Sequence, residues 1–212
     1  MSAATNVLPL SLIGYSGHAF VVYDIFCSQN QVVRAYCEAK PKKHNPLGLE
    51  YLGSETDGNT LHLLLGYRYF VAIGNNEIRA RVQDFLTASL QKEPANAIHS
   101  QAYLATKVTL GCGVMLGAKA VINPFSSIGN GVICNTGAVI EHECIVADFA
   151  HIAPNATLCG NVTVGRGSFI GAGAVVKEGI TIGNNVIVGA GAVVIRHVPD
   201  GATVVGNPQR EK

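Results

Sequence analysis

From Leu104 to Val194 an aliphatic residue returns every six positions, sixteen times in succession. No other feature of the 212-residue chain restricts its fold as tightly. The series opens with Leu104, Leu110, Leu116 and Ile122 and closes with Ile182, Val188 and Val194, and only Cys134 departs from Ile, Leu or Val. A second register lies four positions after each anchor, from Val108 and Val114 to Ala192 and Val198, and every residue in it is small or β-branched. Glycine follows the anchor at 111, 117, 129, 165, 171, 183 and 189. A helix repeats at about 3.6 residues and a half-buried strand at about two, so neither fits. A period of six with glycine at a fixed phase describes a solenoid of short flat strands and tight turns, in which three hexads close one triangular coil. The anchors then point inward and stack along the axis.

The N-terminal part lacks this period. Leu8–Ile13, Val32–Tyr36 and Tyr69–Ile73 read as short strands, Phe20–Phe26 has helical apolar spacing, and Asn75–Leu90 reads as an amphipathic helix. Residues 40–60 are polar and rich in Lys, Gly and Pro, and read as loop. The pattern predicts a small Rossmann-like parallel α/β domain over residues 1–95. A linker near Glu93–Ser100 then leads into a β-helix domain over 96–212 that ends in a short tail.

Two segments carry chemistry. Gly14-Tyr15-Ser16-Gly17-His18-Ala19 follows the first strand and opens the first helix, a place where free backbone N–H groups can meet an anion. It is not GxGxxG, and the acidic residue at the end of the second strand is the single Glu38, so a dinucleotide site and a plain tight turn both stay open. The second segment is His142-Glu143. Ile140 is an anchor, which places both residues at a coil corner outside the core. Gly160 lies three hexads on and therefore stacks beside His142 at about one strand spacing, roughly 4.7–4.9 Å. A histidine base beside an open backbone N–H suits acyl transfer, in which one takes a proton and the other stabilises an oxyanion. A surface histidine at a turn is the plainer alternative.

GYSGHA, the FVAIGNNEIR segment at 70–79 and CNTGAVIEHE at 134–143 occur together and in order. With the hexads, they resemble the bacterial sugar O- and N-acetyltransferases of the sialic-acid and bacillosamine type, within the hexapeptide-repeat acyltransferases. The resemblance implies a left-handed β-helix, a homotrimer, and transfer of acetyl from acetyl-CoA to the 4-amino group of a nucleotide-linked amino-deoxy sugar. It implies His142 as general base, Glu143 as its partner and Gly160 as the oxyanion donor. Ser16, Gly17, His18, Glu38 and Gly74 would touch the nucleotide sugar. His151 would meet the thioester end of CoA, while Ala172 and Ala190 leave a smooth groove for the cofactor. Lys177 and Arg196 are candidates for its phosphates, although Arg196 stacks over Glu178 and an ion pair there is the alternative. Where family members have an acidic pair at the second strand, this chain has Arg34-Ala35-Tyr36-Cys37-Glu38, so the base is left open. O-acetylation of a sialic acid or related hydroxyl, and a non-catalytic scaffold, are the alternative functions.

A net charge of +1 gives no electrostatic case for nucleic acid or an anionic membrane. The start, MSAATNVLPLSLIG, lacks the basic segment of a leader peptide, and no apolar run approaches the roughly 18 residues of a membrane span, so a cytoplasmic protein is expected. The six cysteines form no CxxC pair and read as reduced apolar filler. The repeat region offers His142, His151 and His197, spaced too widely for a three-histidine zinc site, so no metal is expected.

Overall fold

The computed structural model describes residues 8–212. The beginning of the expected 1–95 domain, and with it half of the segment judged for a leader, lies outside the described residues.

The chain opens with β1 (Leu10–Ile13), α1 (Gly17–Ser28), β2 (Val33–Cys37), β3 (Glu50–Gly53), α2 (Gly58–Leu64), β4 (Arg68–Val71) and α3 (Asn76–Leu90). The strands form one parallel sheet in the order β3-β2-β1-β4. β1 and its two neighbours are largely apolar and buried, as strands covered on both faces must be. The chain winds outward from β1 to β3 and then returns to β4 on the other side of β1. That reversal makes the carboxyl ends of β1 and β4 the topological switch point, where open α/β sheets bind ligands. β3 and α2 begin inside residues 40–60, where the sequence reads as loop. β3 is a half-buried edge strand of four residues, too short to show a period. α2 has only seven residues, yet its cap is written in the sequence: the Thr60 N–H donates to Asp57 Oδ2 at 3.1 Å.

Beyond α3 the backbone makes a two-residue strand in each hexad, from Ala97–Ile98 onward. Strands three hexads apart pair in parallel, as Val139 with Thr157 and Ile145 with Thr163, and so build three sheets, the faces of a prism. Face I runs through the strands beginning at 97, 115, 133, 151, 169 and 187, face II through those at 103 to 193, and face III through those at 109 to 181. This is the parallel β-helix that the hexads predict. The first rung lies within the expected linker, so the helix begins one hexad before the first anchor counted above. The anchors and the second register form one continuous core, with Leu116, Ile140, Ile152 and Val176 fully buried. Each such side chain contributes roughly 1.5–3 kcal/mol. The serines of the second register are satisfied: Ser126 Oγ donates to the Glu141 carbonyl at 2.8 Å and accepts the Cys144 N–H, and Ser168 repeats the pattern with Gly183 and Val186.

At the C-terminal end the coil shortens. Val188 stands opposite Val204 and Ile182 opposite Val198, each pair closer in sequence than three full hexads. Residues 203–205 and 210–211 then pair antiparallel across the end of face I, so the expected tail is a folded cap. This corrects the Arg196 reading. The cap draws Arg196 Nη2 to the Gln209 carbonyl at 3.2 Å, and Glu178 pairs with Lys177 at 3.5 Å instead.

The α/β domain covers face I. Ala97, Met115 and Ile133, which point outward from that face, are buried against α1 and its sheet. α3 runs along the corner between faces III and I. There Arg79, 1% exposed, donates to the carbonyls of Gly131 and Phe149 on the β-helix and of Ile73 and Gly74 after β4, and to Asn76 Oδ1. Among the described residues no carboxylate pairs with this cation. Carbonyl dipoles from both domains hold it, and burial still pushes its pKa down to about 9.

Candidate active site

The sequence-predicted residues fall into three groups in space. The first stands at the corner between faces II and III. His142 Nδ1 lies 3.0 Å from Glu143 Oε2. A carboxylate only accepts, so Nδ1 carries the proton and Nε2 presents a lone pair outward. Glu143 reaches this position from a left-handed backbone, φ +60°. The ring lies against Gly160, whose N–H donates to no group among the described residues. His142 is well exposed, with its side chain 58% accessible.

The second group lies at the switch point, where the α/β domain meets face I. Gly14 turns the chain after β1 at φ +93°, and a Cβ there would stand 2.9 Å from Ile73 Cγ1, so only glycine fits. Ser16 is the N-cap position of α1 and makes no side-chain cap bond, which leaves its hydroxyl free. Gly17 has open space around it. The Tyr15 ring stacks on Tyr36 at 4.2 Å, and its N–H donates to Glu38 Oε1 at 2.9 Å, which ties the glycine loop to the end of β2. Glu38 also pairs with Lys42 at 3.0 Å.

His18 faces Gly74 from α1, and His151 reaches the same seam from face I. Burial, then the Arg79 charge, pushes the His18 pKa down to about 4. Burial, Arg79 and His18 together push His151 down to about 3, against a smaller upward pull from the Gly74 backbone. Both rings are therefore neutral at physiological pH. His18 Nε2 and His151 Nδ1 are buried without a hydrogen-bond partner among the described residues. A cleft of about 640 Å³ opens beside them, lined in part by Gly74, Asn76, Phe149, Arg166, Phe169 and Ile187.

The third group is Ala172 and Ala190, stacked at the corner between faces I and II, where the Gly191 N–H donates to the Ala172 carbonyl. The fold thus joins His18, Gly74 and His151 but sets His142 and Gly160 on the corner opposite face I, away from them within one chain. Sequence reasoning misses Arg79, Asn76 and Asn135. Arg79 lies on an otherwise amphipathic helix, and its burial is the unreadable part. Asn76 Nδ2 donates to the Gly167 carbonyl at 2.9 Å, and Asn135 holds His151 at 3.2 Å. Among the described residues no three His, Cys, Asp or Glu side chains converge as a metal site would need.

Residues 9–86 match the PglD N-terminal domain, and residues 161–196 match the bacterial transferase hexapeptide repeats, which identifies the prism as the left-handed β-helix. The GDP-perosamine N-acetyltransferase of Escherichia coli O157:H7 is 35% identical over 150 residues, which span 68% of this chain and 67% of that protein. The crystal structure of an alanine variant of the GDP-perosamine N-acetyltransferase from Caulobacter crescentus, in complex with CoA and GDP-perosamine, is 37% identical with a TM-score of 0.90 over 96% of each chain. The acetyltransferase domain of PglB from Neisseria gonorrhoeae, in complex with acetyl coenzyme A, is 32% identical with a TM-score of 0.88 over 97% of this chain and 100% of that one. A glycine-loop α/β domain packed on a hexapeptide β-helix, with a curated relative over two thirds of the chain and solved relatives over nearly its whole length, places the chain among the bacterial sugar N-acetyltransferases of the hexapeptide-repeat acyltransferase superfamily.

Proposed function

We propose that this protein transfers acetyl from acetyl-CoA to the amino group of a nucleotide-linked amino sugar. The observation that carries the reading is the His142–Glu143 pair over Gly160. Glu143 holds the proton on Nδ1, so Nε2 takes the proton from the attacking amine. The amine nitrogen bonds to the thioester carbonyl carbon, and the oxygen gains the negative charge beside the Gly160 N–H. Collapse breaks the carbon–sulfur bond, and His142 returns the proton to the CoA sulfur. Ser16, Gly17, His18, Glu38 and Gly74 bind the nucleotide sugar at the switch point, and His151, Ala172 and Ala190 belong to the CoA side. The relatives that bind GDP-perosamine favour a GDP-linked 4-amino sugar as acceptor.

The two functional units are residues 1–95 and 96–212. A homotrimer is the working assembly, because His142 projects from the corner opposite face I and meets a switch-point crevice only on a neighbouring copy. No described helix is long and apolar enough to cross a membrane, and the acetyl-CoA donor suits a cytoplasmic enzyme.

The test is CoA release from acetyl-CoA with a panel of GDP- and UDP-linked 4-amino sugars, their hydroxyl counterparts and free sialic acid. Turnover on an amine with none on its hydroxyl counterpart supports the reading. Turnover confined to sialic acid makes the chain an O-acetyltransferase, and no turnover on any acceptor makes it a scaffold. Light scattering at micromolar concentration that gives a monomer removes the intersubunit site.

A further inference from the structure

We infer that Phe125 is a positioning residue: it seats on the exposed face of α1 in a second copy of this chain and so sets His142 against that copy's substrate. The inference rests on the trimeric acetyltransferase reading above and names the contact that reading leaves open.

Phe125 is out of place in its own chain. It occupies a corner turn at φ +63°, a backbone that suits glycine or asparagine and strains a bulky side chain. Phe149 takes the same conformation at φ +58°, but its ring is buried and lies beneath the Arg166 guanidinium at 4.7 Å. Burial and the cation offset the strain there. Phe125 is 67% exposed, and no packing among the described residues offsets its strain. It stands one coil before Glu143, whose N–H donates to the Pro124 carbonyl at 3.1 Å. Whatever holds Phe125 therefore holds the corner that carries His142.

α1 offers the matching surface. It runs antiparallel to the coils: His18, at its start, shares the seam with His151, and at its end Ser28 Oγ accepts the Ser100 N–H at 3.0 Å. Phe125 lies on a coil midway between those rungs. Ala19, Val22, Ile25 and Phe26 turn inward, which leaves Gly17, Phe20, Val21 and Asp24 exposed on the outer face. One helical turn rises about 5.4 Å and one coil about 4.7–4.9 Å, so successive turns of α1 can meet successive coils of a corner. Equal coils are level in a parallel trimer, and the corner opposite face I is the one a neighbour presents. Down the helix, Gly17 and His18 then meet His142 and Glu143, Phe20 and Val21 meet Phe125, and Asp24 meets Lys107, one coil further on. Apolar falls on apolar, and the exposed Asp24 carboxylate falls on an exposed cation. The same helix carries Ser16–His18 at its N-terminus, so a ring seated at its middle fixes the height of the base against the acceptor amine.

The test uses the full-length protein with Cys27→Ser, because Cys27 is exposed on the same helix. Val21→Cys combined with Phe125→Cys should give covalent dimers and trimers with a short bismaleimide, and neither substitution alone should do so. Phe125→Gly takes φ +63° without strain and should fold like the parent. Its kcat should fall roughly tenfold to a hundredfold, as when a catalytic group is displaced by up to about 1 Å, while the KM for each substrate changes little. Phe125→Leu restores apolar bulk and should recover most of the rate. Asp24→Lys should loosen the trimer in sedimentation, and adding Lys107→Asp to the same chain should restore it.

A trimer whose paired cysteines do not cross-link overturns the inference and leaves the assembly standing. So does a Phe125→Gly variant with parental kcat, including one that raises only the KM for the nucleotide sugar, which places the ring on the substrate. A monomeric parent overturns the inference and the assembly together. Cross-linking in a protein that acetylates no acceptor upholds the contact and overturns only the acetyltransferase reading.

Discussion

A methyl group on Gly160 would stand 2.6 Å from both Cε1 and Nε2 of His142, so the imidazole is fitted to a residue without a side chain. Gly160→Ala must push the ring off its place beside the backbone N–H. A displacement of about 1 Å typically costs on the order of a hundredfold, and kcat should fall by that much. His142→Ala should lower kcat by roughly 10²–10⁴. Both variants should melt with the parent protein, since the corner is exposed and carries no core packing. Steady-state rates and calorimetry check the pair, and near-normal turnover by His142→Ala would falsify the base assignment.

His18 lies on the α/β side of the seam, with Gly74 beside it. His18→Ala should raise the KM for the nucleotide sugar by about tenfold, the worth of one hydrogen bond. The KM for acetyl-CoA should stay within a factor of about two on the same scale. Initial-rate matrices with both substrates varied separate the two. Equal increases would mean that the ring merely supports the seam.

The two neutral rings make stability depend on pH. His18 titrates at about 4 and His151 at about 3 in the folded protein, against a usual value of 6.5. Between those limits the unfolded chain binds more protons, so stability falls as pH falls from about 6.5 toward 4. Down to about pH 4.5 each ring should contribute a loss on the order of 2–3 kcal/mol. Carboxylates titrate mostly below that window. Urea unfolding at neutral pH and at about pH 4.5 should show the drop, and a double substitution of both histidines by Asn should flatten most of it.

Arg79→Ala should destabilise the seam. It leaves the Gly131 and Phe149 carbonyls buried without donors and opens a cavity under α3. Each orphaned group costs about 1–3 kcal/mol, so a loss of about 3 kcal/mol or more is expected. Limited proteolysis should then release the α/β unit while the β-helix resists. If the variant melts and digests like the parent, the guanidinium does not hold the two units together.

Much of this architecture is legible in the residue order because a solenoid repeats its own evidence. Each hexad states the same inward anchor, so Ile98 and the irregular last coil are the places where extrapolation stops short. The stacking of Gly160 beside His142 follows from counting three hexads forward, because register in a β-helix is fixed by coil length. The seam is less readable. Nothing in Asn75–Leu90 says that Arg79 faces inward, since a helix pattern shows an apolar stripe but not a cation satisfied by carbonyls from another domain. The joining of His18 with His151 depends on how two folded units dock, and no local pattern encodes that. β3 escapes for a different reason: an edge strand of four residues leaves one side half-exposed and carries little hydrophobic signal.

The shortened final coil and its antiparallel return bear on how the molecule avoids becoming a fibre. A prism built of identical rungs offers, at its open end, unpaired backbone groups that any further rung could join, from its own chain or another. Thr203–Val205 meets the last long rung of face I, and Arg210–Glu211 runs against it in the opposite direction. A reversed strand, out of step with the three-hexad coil, cannot template another parallel turn. Residues 203–212 thus act as a stopper that keeps a self-propagating geometry finite.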